Sequence, residues 1–348
     1  MGGCMISQER TLERLTPRME YELSLIAPAF NEAQNIEPFC RMVLKDLVPR
    51  VGGPLEIIFI DDGSSDGTYE RMQEAIGICE PVCDVAAVRF SRNFGKESAM
   101  FAGLEQAQGR YCGFIDVDLQ QPASDMANML DMLKASPHAD CVAAVASKRT
   151  KGGLSSKLSE GFYRILGRSS GMDVIANASD FRVFTRTVAE ALISMPEYHR
   201  FSKGLFAWVG FTTIPYEYTP QNRHAGETTW SLRDLCAYAI DGLLSFTTAP
   251  LRLATIIGLL ASLLAAIYLV VQIFQRLYFG VDVPGYATLV VLILFFGGLQ
   301  MVLLGILGEY LGRLYIESKR RPIYLVKKIQ RSRMQGEDDT PQPRDARR

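Results

Sequence analysis

Histidine is almost missing from this chain: His138, His199 and His224 are the only three in 348 residues. A histidine-based metal centre or a Ser-His-Asp triad is therefore a poor fit. The seven cysteines, at positions 4, 40, 79, 83, 112, 141 and 236, are odd in number and scattered. Cys79 and Cys83 form the one close pair, with no second pair or nearby histidine to complete a zinc set, so a reducing compartment is expected. Net charge is −1, which gives no global field for nucleic acid. Residues 1–20 are polar and charged, without the apolar core of a signal peptide. No Gly-x-Gly-x-x-Gly follows the first expected strand, and no Gly-Lys-Ser/Thr phosphate loop occurs. Hydride transfer and ATP hydrolysis thus lack their usual phosphate-binding devices.

Long apolar runs, by contrast, are present. Leu253 to Phe274 and Tyr286 to Leu307 are each 22 residues without a charge. At about 1.5 Å per residue each reaches roughly 33 Å, enough for a hydrocarbon core of about 30 Å. The short connection between them makes a helical hairpin. Arg313, Lys319, Arg320, Arg321, Lys327 and Lys328 follow the second run, Arg233 and Arg252 precede the first, and Arg276 stands alone in the connection. The positive-inside rule then places both termini and the large N-terminal domain in the cytoplasm, on a multi-pass protein of the inner membrane. Leu232, Leu235, Ala239, Leu243 and Phe246 recur at helical spacing behind a Ser231–Asp234 capping pair, which reads as an interfacial amphipathic helix. The expected plan is an extension (1–21), a soluble catalytic domain (22–230), the interfacial helix (231–246), spans at 251–275 and 286–308, and a basic segment and tail (309–348). The tail from Gln330 is charged and holds Pro341 and Pro343, so disorder is expected there.

Within 22–228 strand-like and helix-like segments alternate. Strands are expected at Leu23–Pro28, Glu56–Ile60, Val85–Phe90, Tyr111–Ile115 and Cys141–Ala146, and helices at Asn35–Leu47, Tyr69–Ile76 and Lys96–Ala107. This alternation predicts an α/β fold with a mostly parallel sheet. Ligands of such sheets bind at the carboxyl ends of the strands. Three polar clusters fall at such ends: Pro28 to Glu32, Asp61-Asp62, and Asp116-Val117-Asp118-Leu119-Gln120. Two carboxylates one residue apart at the end of an apolar strand suit a hard divalent cation bridging to a diphosphate. An acidic pair of this kind also occurs in ordinary turns, and Glu32 and Asp62 could equally be cap or turn residues. Arg92 and Lys96 read as solvated, or as partners of Glu97.

Taken in order, Ala27-Pro28-Ala29-Phe30-Asn31-Glu32, Ile60 to Thr68, Ser91 to Glu97, Asp116 to Gln120, Asp180-Phe181-Arg182, Arg223 to Trp230, Gly308 to Arg313 and Arg321 to Tyr324 resemble a family 2 glycosyltransferase of GT-A-type fold. More narrowly, they resemble the polyprenyl-phosphate group that holds dolichyl-phosphate mannose synthase and the bactoprenol glucosyltransferases. The resemblance spans about residues 22–328. It implies a nucleotide pocket lined by Pro28, Phe30 and Glu32, with Asp62 reaching the base or ribose. It implies Mg²⁺ or Mn²⁺ on Asp116 and Asp118 with Gln120 beside them, Asp180 near the sugar, and Arg223 on the donor diphosphate. Arg149, with Lys157 nearby, is the candidate for the acceptor phosphate. The implied reaction is inverting transfer of a sugar from a nucleotide sugar to a polyprenyl phosphate, with UDP-glucose and undecaprenyl phosphate the first choices and UDP-amino-arabinose or GDP-mannose the alternatives. A homo-oligomer is a further implication. Two departures stand out. Gly226-Glu227-Thr228-Thr229 replaces the usual Gly-x-Ser/Thr-Lys, leaving Lys157 or Lys203 as substitutes, and Ser179 stands where glycine is common. A processive polysaccharide synthase would need Gln-x-x-Arg-Trp and more spans, and Gln221-Asn222-Arg223-His224 does not supply the motif. A non-catalytic membrane scaffold would have no reason to keep the acidic pair together with the nucleotide cluster.

Overall fold

The computed structural model describes residues 21–80, 82–146, 175, 178–221, 247–279 and 285–332. The strands are β1 (Tyr21–Ala29), β2 (Leu55–Asp61), β3 (Asp84–Phe90), β4 (Gly109–Phe114), β5 (Cys141–Ala146), β6 (Ala178–Thr185), β7 (Thr213–Tyr218) and β8 (Val326–Arg331). The helices used below are α1 (Ile36–Asp46), α2 (Thr68–Cys79), α3 (Lys96–Gln106), α4 (Ala123–Ala135), α5 (Arg186–Ile193), α6 (Ser202–Trp208), α7 (Ala249–Phe279) and α8 (Tyr286–Ser318). One sheet runs in the order β7-β5-β6-β4-β1-β2-β3-β8. The central block β4-β1-β2-β3 is parallel throughout. β6 lies antiparallel between β4 and β5, and β8 closes the far edge antiparallel to β3. The sheet is mostly parallel in its centre, as the alternation of strands and helices predicts.

A parallel sheet needs cover on both faces, because its crossovers put helices there. Successive side chains of one strand point to opposite faces, and the core divides accordingly. Leu23, Leu25, Ala27, Ile57 and Phe59 pack with α1, α2 and α4 on one side. Ile26, Ile58, Ile60, Val88 and Phe90 pack with α3, α5 and α6 on the other. In α1 the buried positions Ile36, Phe39, Cys40 and Val43 recur every three or four residues, which is why this segment forms a helix with one apolar face. Cys40, Cys79 and Cys83 are buried free thiols, linked by hydrogen bonds through Cys79. The sequence pairs only the last two.

Pro250–Gln272 in α7 and Phe295–Ser318 in α8 are long and apolar enough to cross a membrane. Large apolar side chains such as Leu259, Leu264 and Phe295 stand exposed on them. The second helix does not end near residue 308 as expected: it continues through Glu309 and Arg313, an i,i+4 ion pair at 3.5 Å, to Ser318. Charge interrupts the apolar run, but no helix-breaking residue intervenes before Pro322. The chain then folds back. Tyr324 stacks on Phe90 with ring centroids 4.8 Å apart and donates to Glu105 at 2.5 Å. Gln330 and Arg331, expected as the start of a disordered tail, pair with Ala87 and Ala86 in the sheet. The expected interfacial helix at 231–246 lies outside the described residues.

Gly63 shows how tightly the loops at the carboxyl edge pack. It has φ +73°, and a Cβ there would sit 2.5 Å from the Arg92 carbonyl carbon and 2.7 Å from the Asn93 nitrogen. Both neighbours are backbone, so relief requires a loop to move. Gly63→Ala is expected to destabilise the protein by about 1–3 kcal/mol. A lowered apparent Tm in a thermal unfolding scan checks this, and an unchanged Tm would contradict the packing of the Gly63 turn on residues 92–93.

Candidate functional site

The parallel strands deliver their carboxyl ends to one edge, where the loops after β1 and β2 are stitched together. The Asn31 N–H donates to Ser64 Oγ at 2.9 Å, and its Oδ1 accepts from the Ser65 N–H at 3.0 Å. Asn31 itself has φ +55°, a conformation asparagine tolerates better than most side chains. The Glu32 N–H donates to Thr68 Oγ1 at 2.9 Å, while its carboxylate accepts from Asn35 Nδ2 at 2.5 Å. Phe30 is left 44% exposed at this edge. Pro28 is buried in β1 opposite Ile60 and supports the edge from beneath.

Asp61 and Asp62 close β2 and are both buried. Asp61 accepts from the Ser64 N–H at 2.9 Å and pairs with Arg89 Nε at 3.3 Å. Asp62 accepts from the Phe94 N–H at 2.6 Å and the Gly95 N–H at 2.9 Å, tying the loop after β3 to the end of β2. Burial pushes its carboxyl up to about 6 despite these two N–H groups, and the neighbouring Asp61 charge adds to the rise. Arg92 donates to the Asn93 carbonyl and lies over the Phe94 ring at 4.0 Å, so it serves this loop.

The acidic centre depends on the one antiparallel strand beside β4. Because β6 runs the other way, its amino end arrives at the carboxyl edge. The register that pairs Phe114 with Arg182 leads on to Asp116 and Asp180. Lys96, the first residue of α3, reaches between them. Its Nζ is 2.7 Å and 2.9 Å from the two Asp116 oxygens and 3.5 Å from Asp180 Oδ2. Gln121 brackets Asp116 from the other side: its Oε1 accepts from the Asp116 N–H at 2.8 Å and its Nε2 donates to Asp116 Oδ2 at 3.0 Å. Leu119 has φ +64°, a strained value for a leucine, and this turn lets the Gln120 N–H donate to Asp118 Oδ1 at 3.1 Å. The Gln120 carbonyl accepts from the Gln221 N–H at 3.0 Å.

Burial alone would raise Asp180, but the charges of Lys96, Lys203 and Arg182 outweigh it and hold this carboxyl below the usual range. Its Oδ1 is buried without a hydrogen-bond partner. Arg182 donates to the Ser179 carbonyl at 2.7 Å and lies 4.0 Å over the Phe206 ring. It is thus a buried neighbour of Asp180 that acts on it through charge. Lys96 does not pair with Glu97. The Glu97 carboxylate instead accepts from the Ser202 N–H, at 3.2 and 3.0 Å, and from Ser202 Oγ.

Asp116 and Asp118 offer hard carboxylate oxygens of the kind Mg²⁺ or Mn²⁺ prefers. Among the described residues no group of three His, Cys, Asp or Glu is placed to hold a metal by itself. Asp116 and Asp118 could therefore hold such a cation only with further ligands from outside this group. Phe30, Glu32, Asp62, Asp116, Asp118, Gln120 and Asp180 come to one edge. Arg149, Lys157 and Arg223 lie outside the described residues. Sequence reasoning missed Gln121, Glu97 with Ser202, and the reach of Lys96. Residues Ser91 to Glu97 and Asp116 to Gln120 were the nearest signal, but neither motif shows which side chain of one meets which of the other.

Comparison with known proteins identifies the family. Residues 24–193 match the model of glycosyl transferase family 2, and residues 249–314 match that of the GtrB C-terminal hairpin. The chain is 41% identical to a prophage bactoprenol glucosyl transferase homolog of Escherichia coli K12 over 311 residues, covering 89% of this chain and 100% of the relative. It is 41% identical to the bactoprenol glucosyl transferase of Shigella phage SfV, covering 88% and 98%. A putative glycosyltransferase of Bacillus subtilis is 36% identical, covering 88% and 91%. Among solved structures, a mannosyltransferase of Pyrobaculum calidifontis in complex with GDP-Man and Mn²⁺ aligns with TM-score 0.44 at 18% identity, covering 88% of this chain and 94% of that one.

The Glu97 carboxyl provides a test of the electrostatics. Burial, together with the nearby Asp180 charge, pushes it from 4.5 up to about 7, against the pull of the Ser202 donors and Arg200. Between those values the folded protein holds a proton that the unfolded chain has released. The stability contribution is therefore greatest below about 4.5 and is lost as pH rises through about 7. Glu97→Gln is expected to flatten this part of the Tm–pH profile, and parallel profiles for the two proteins would refute the shift.

Proposed function

The chain belongs to glycosyl transferase family 2, in the group of the bactoprenol glucosyl transferases, and from this we propose that it transfers glucose from UDP-glucose to undecaprenyl phosphate at the cytoplasmic face of the inner membrane. The observation that carries the reading is the acidic edge formed by Asp116, Asp118 and Asp180 in a chain that also holds two membrane-length apolar helices. Glycosyl transfer to a polyprenyl phosphate follows from the named relatives. Glucose as the sugar, UDP as the carrier and the membrane orientation are this proposal's finer part, and the charge asymmetry around the hairpin supports the last.

The nucleophile is a phosphate oxygen of the lipid. A phosphate monoester has a second pKa of about 6, so the acceptor is already largely dianionic at neutral pH and needs no strong base. Catalysis then rests on positioning and on stabilising the leaving diphosphate. A Mg²⁺ or Mn²⁺ ion held by Asp116 and Asp118 would supply positive charge against that diphosphate. Phe30 offers an exposed aromatic face at the nucleotide edge, beside the Glu32 loop. Asp62 holds the loop at residues 94–95, from which α3 and Lys96 start. Asp180, kept ionised by Lys96, Lys203 and Arg182, lies against the acidic pair where the sugar would be held. Lys203, whose charge acts on Asp180, is proposed to stand in for the lysine absent at Thr229. Arg149 and Arg223 are proposed for the acceptor phosphate and the donor diphosphate.

Transfer of radiolabelled sugar from a panel of nucleotide sugars to undecaprenyl phosphate, with Mg²⁺ and with EDTA, tests the assignment. A metal-dependent lipid product from UDP-glucose is expected, and product from a different donor would replace the sugar. Asp116→Ala should lower turnover by about 10²-fold or more while leaving the protein folded and membrane-bound. Full activity in that variant would overturn the role of Asp116.

A further inference from the structure

The end of α8 opens on a cavity of about 1000 Å³, set apart from the acidic edge. Phe101 and Glu105 reach it from α3, five and nine residues along that helix from Lys96. Leu314, Glu317, Arg320 and Arg321 enter it from the end of α8 and the turn that follows. Its charges are unevenly satisfied. Glu105 accepts from the Tyr324 hydroxyl at 2.5 Å, and the Glu317 carboxylate accepts from the Tyr198 N–H at 3.1 Å. Among the described residues neither arginine side chain has a hydrogen-bond or ion-pair partner. Arg320 also has φ +48°, at a helix C-terminal turn where glycine or asparagine is usual. The cavity has an apolar approach as well. Leu304, Leu307, Leu311 and Leu314 recur every three or four residues, each more than half exposed, so one stripe of α8 leads from the membrane-length run to the cavity. From Leu307, the last residue of the uncharged run, to Leu314 the rise is about 10 Å. The headgroup layer outside the hydrocarbon is roughly 5–8 Å deep, so a bilayer lipid has only a little further to rise.

We propose that this cavity holds one anionic glycerophospholipid of the bilayer, with its phosphate on Arg320 and Arg321 and an acyl chain on the stripe from Leu307 to Leu314. This rests on the membrane reading of α7 and α8 given above. Guanidinium presents a planar fork of donors that matches phosphate. Basic pockets at the cytoplasmic end of membrane helices bind anionic head groups. A zwitterionic lipid would instead bring its own ammonium towards the two arginines. The bound lipid would hold the segment after α8 at the membrane surface, and with it the sheet edge that this segment reaches through Tyr324 on Phe90.

Native mass spectrometry of the full-length protein in detergent, with phosphatidylglycerol or phosphatidylcholine added at equal concentration, tests the site without any turnover. The wild type is expected to retain one phosphatidylglycerol about tenfold more tightly than phosphatidylcholine. The double variant Arg320→Asn with Arg321→Gln, whose asparagine suits the left-handed turn, is expected to lose most of that preference. Arg321→Gln alone serves should the double variant not fold. Lys327→Gln with Lys328→Gln removes two exposed cations of β8 that do not line the cavity, and should keep the preference. No preference in the wild type, or an unchanged preference in the arginine variant, would overturn the proposal. An equal loss in both double variants would overturn it in favour of diffuse surface charge. Displacement of phosphatidylglycerol by an equal concentration of undecaprenyl phosphate would overturn it in favour of the acceptor lipid. Alkaline carbonate extraction of membranes separates the two levels: if the wild type is released, the membrane reading itself fails. If it stays in the membrane and shows no lipid preference, only the phospholipid site fails.

Discussion

Parallel pairing of β4, β1, β2 and β3 is the constraint on which the rest of the molecule depends. It forces the chain to cross back after every strand, so the loops after β1, β2, β3 and β4 all emerge at one edge. It also demands apolar cover on both faces, which α1, α2 and α4 give on one side and α3, α5 and α6 on the other. The polar residues of those loops then meet and bond one another across the edge. The Asn31–Ser64, Glu32–Thr68 and Asp62–Phe94 contacts are the result.

A single reversal of strand direction then turns an edge into a site. With β6 antiparallel to β4, a residue from the start of a strand joins residues from the ends of others. Asp180 and Asp116 would repel one another across this seam, and Lys96 neutralises them jointly. The same burial acts oppositely on two neighbours. Asp180, with three cations around it, is held below the usual carboxylate range, whereas Glu97, bonded mainly to neutral Ser202 donors and facing Asp180, is pushed up. The number and distance of cations decides which carboxylate keeps its charge, since both pay a similar desolvation penalty.

The apolar hairpin is anchored to this domain on its far side as well as through the preceding chain. The Tyr198 N–H donates to Glu317 near the end of α8, and Tyr324 packs between Phe90 and Glu105 before β8 joins β3. Tyr310 donates to the Thr247 carbonyl at the start of the hairpin. Such ties give the N-terminal domain a fixed relation to the end of α8, which suits glycosyl transfer to a polyprenyl phosphate.

The sequence by itself determined the strands of the parallel block, the covering helices α1, α2 and α3 but not α4, α5 or α6, the two apolar runs and the placement of Phe30, Glu32, Asp62 and Asp116 to Gln120 at strand ends. Each of these rests on a local pattern: the two-residue period of a strand, the 3.6-residue period of a helix, or unbroken apolar length. The return of Val326–Arg331 into the sheet was not legible, because a short basic segment carries no signal of the strand it will pair with. Nor could local pattern assign Lys96 to Asp116 and Asp180, 20 and 84 residues away in the chain, rather than to the adjacent Glu97. Only the tertiary structure decided that, because strand order and direction set which distant charges meet, and a lysine goes where the field of two carboxylates outweighs that of one already bonded to Ser202.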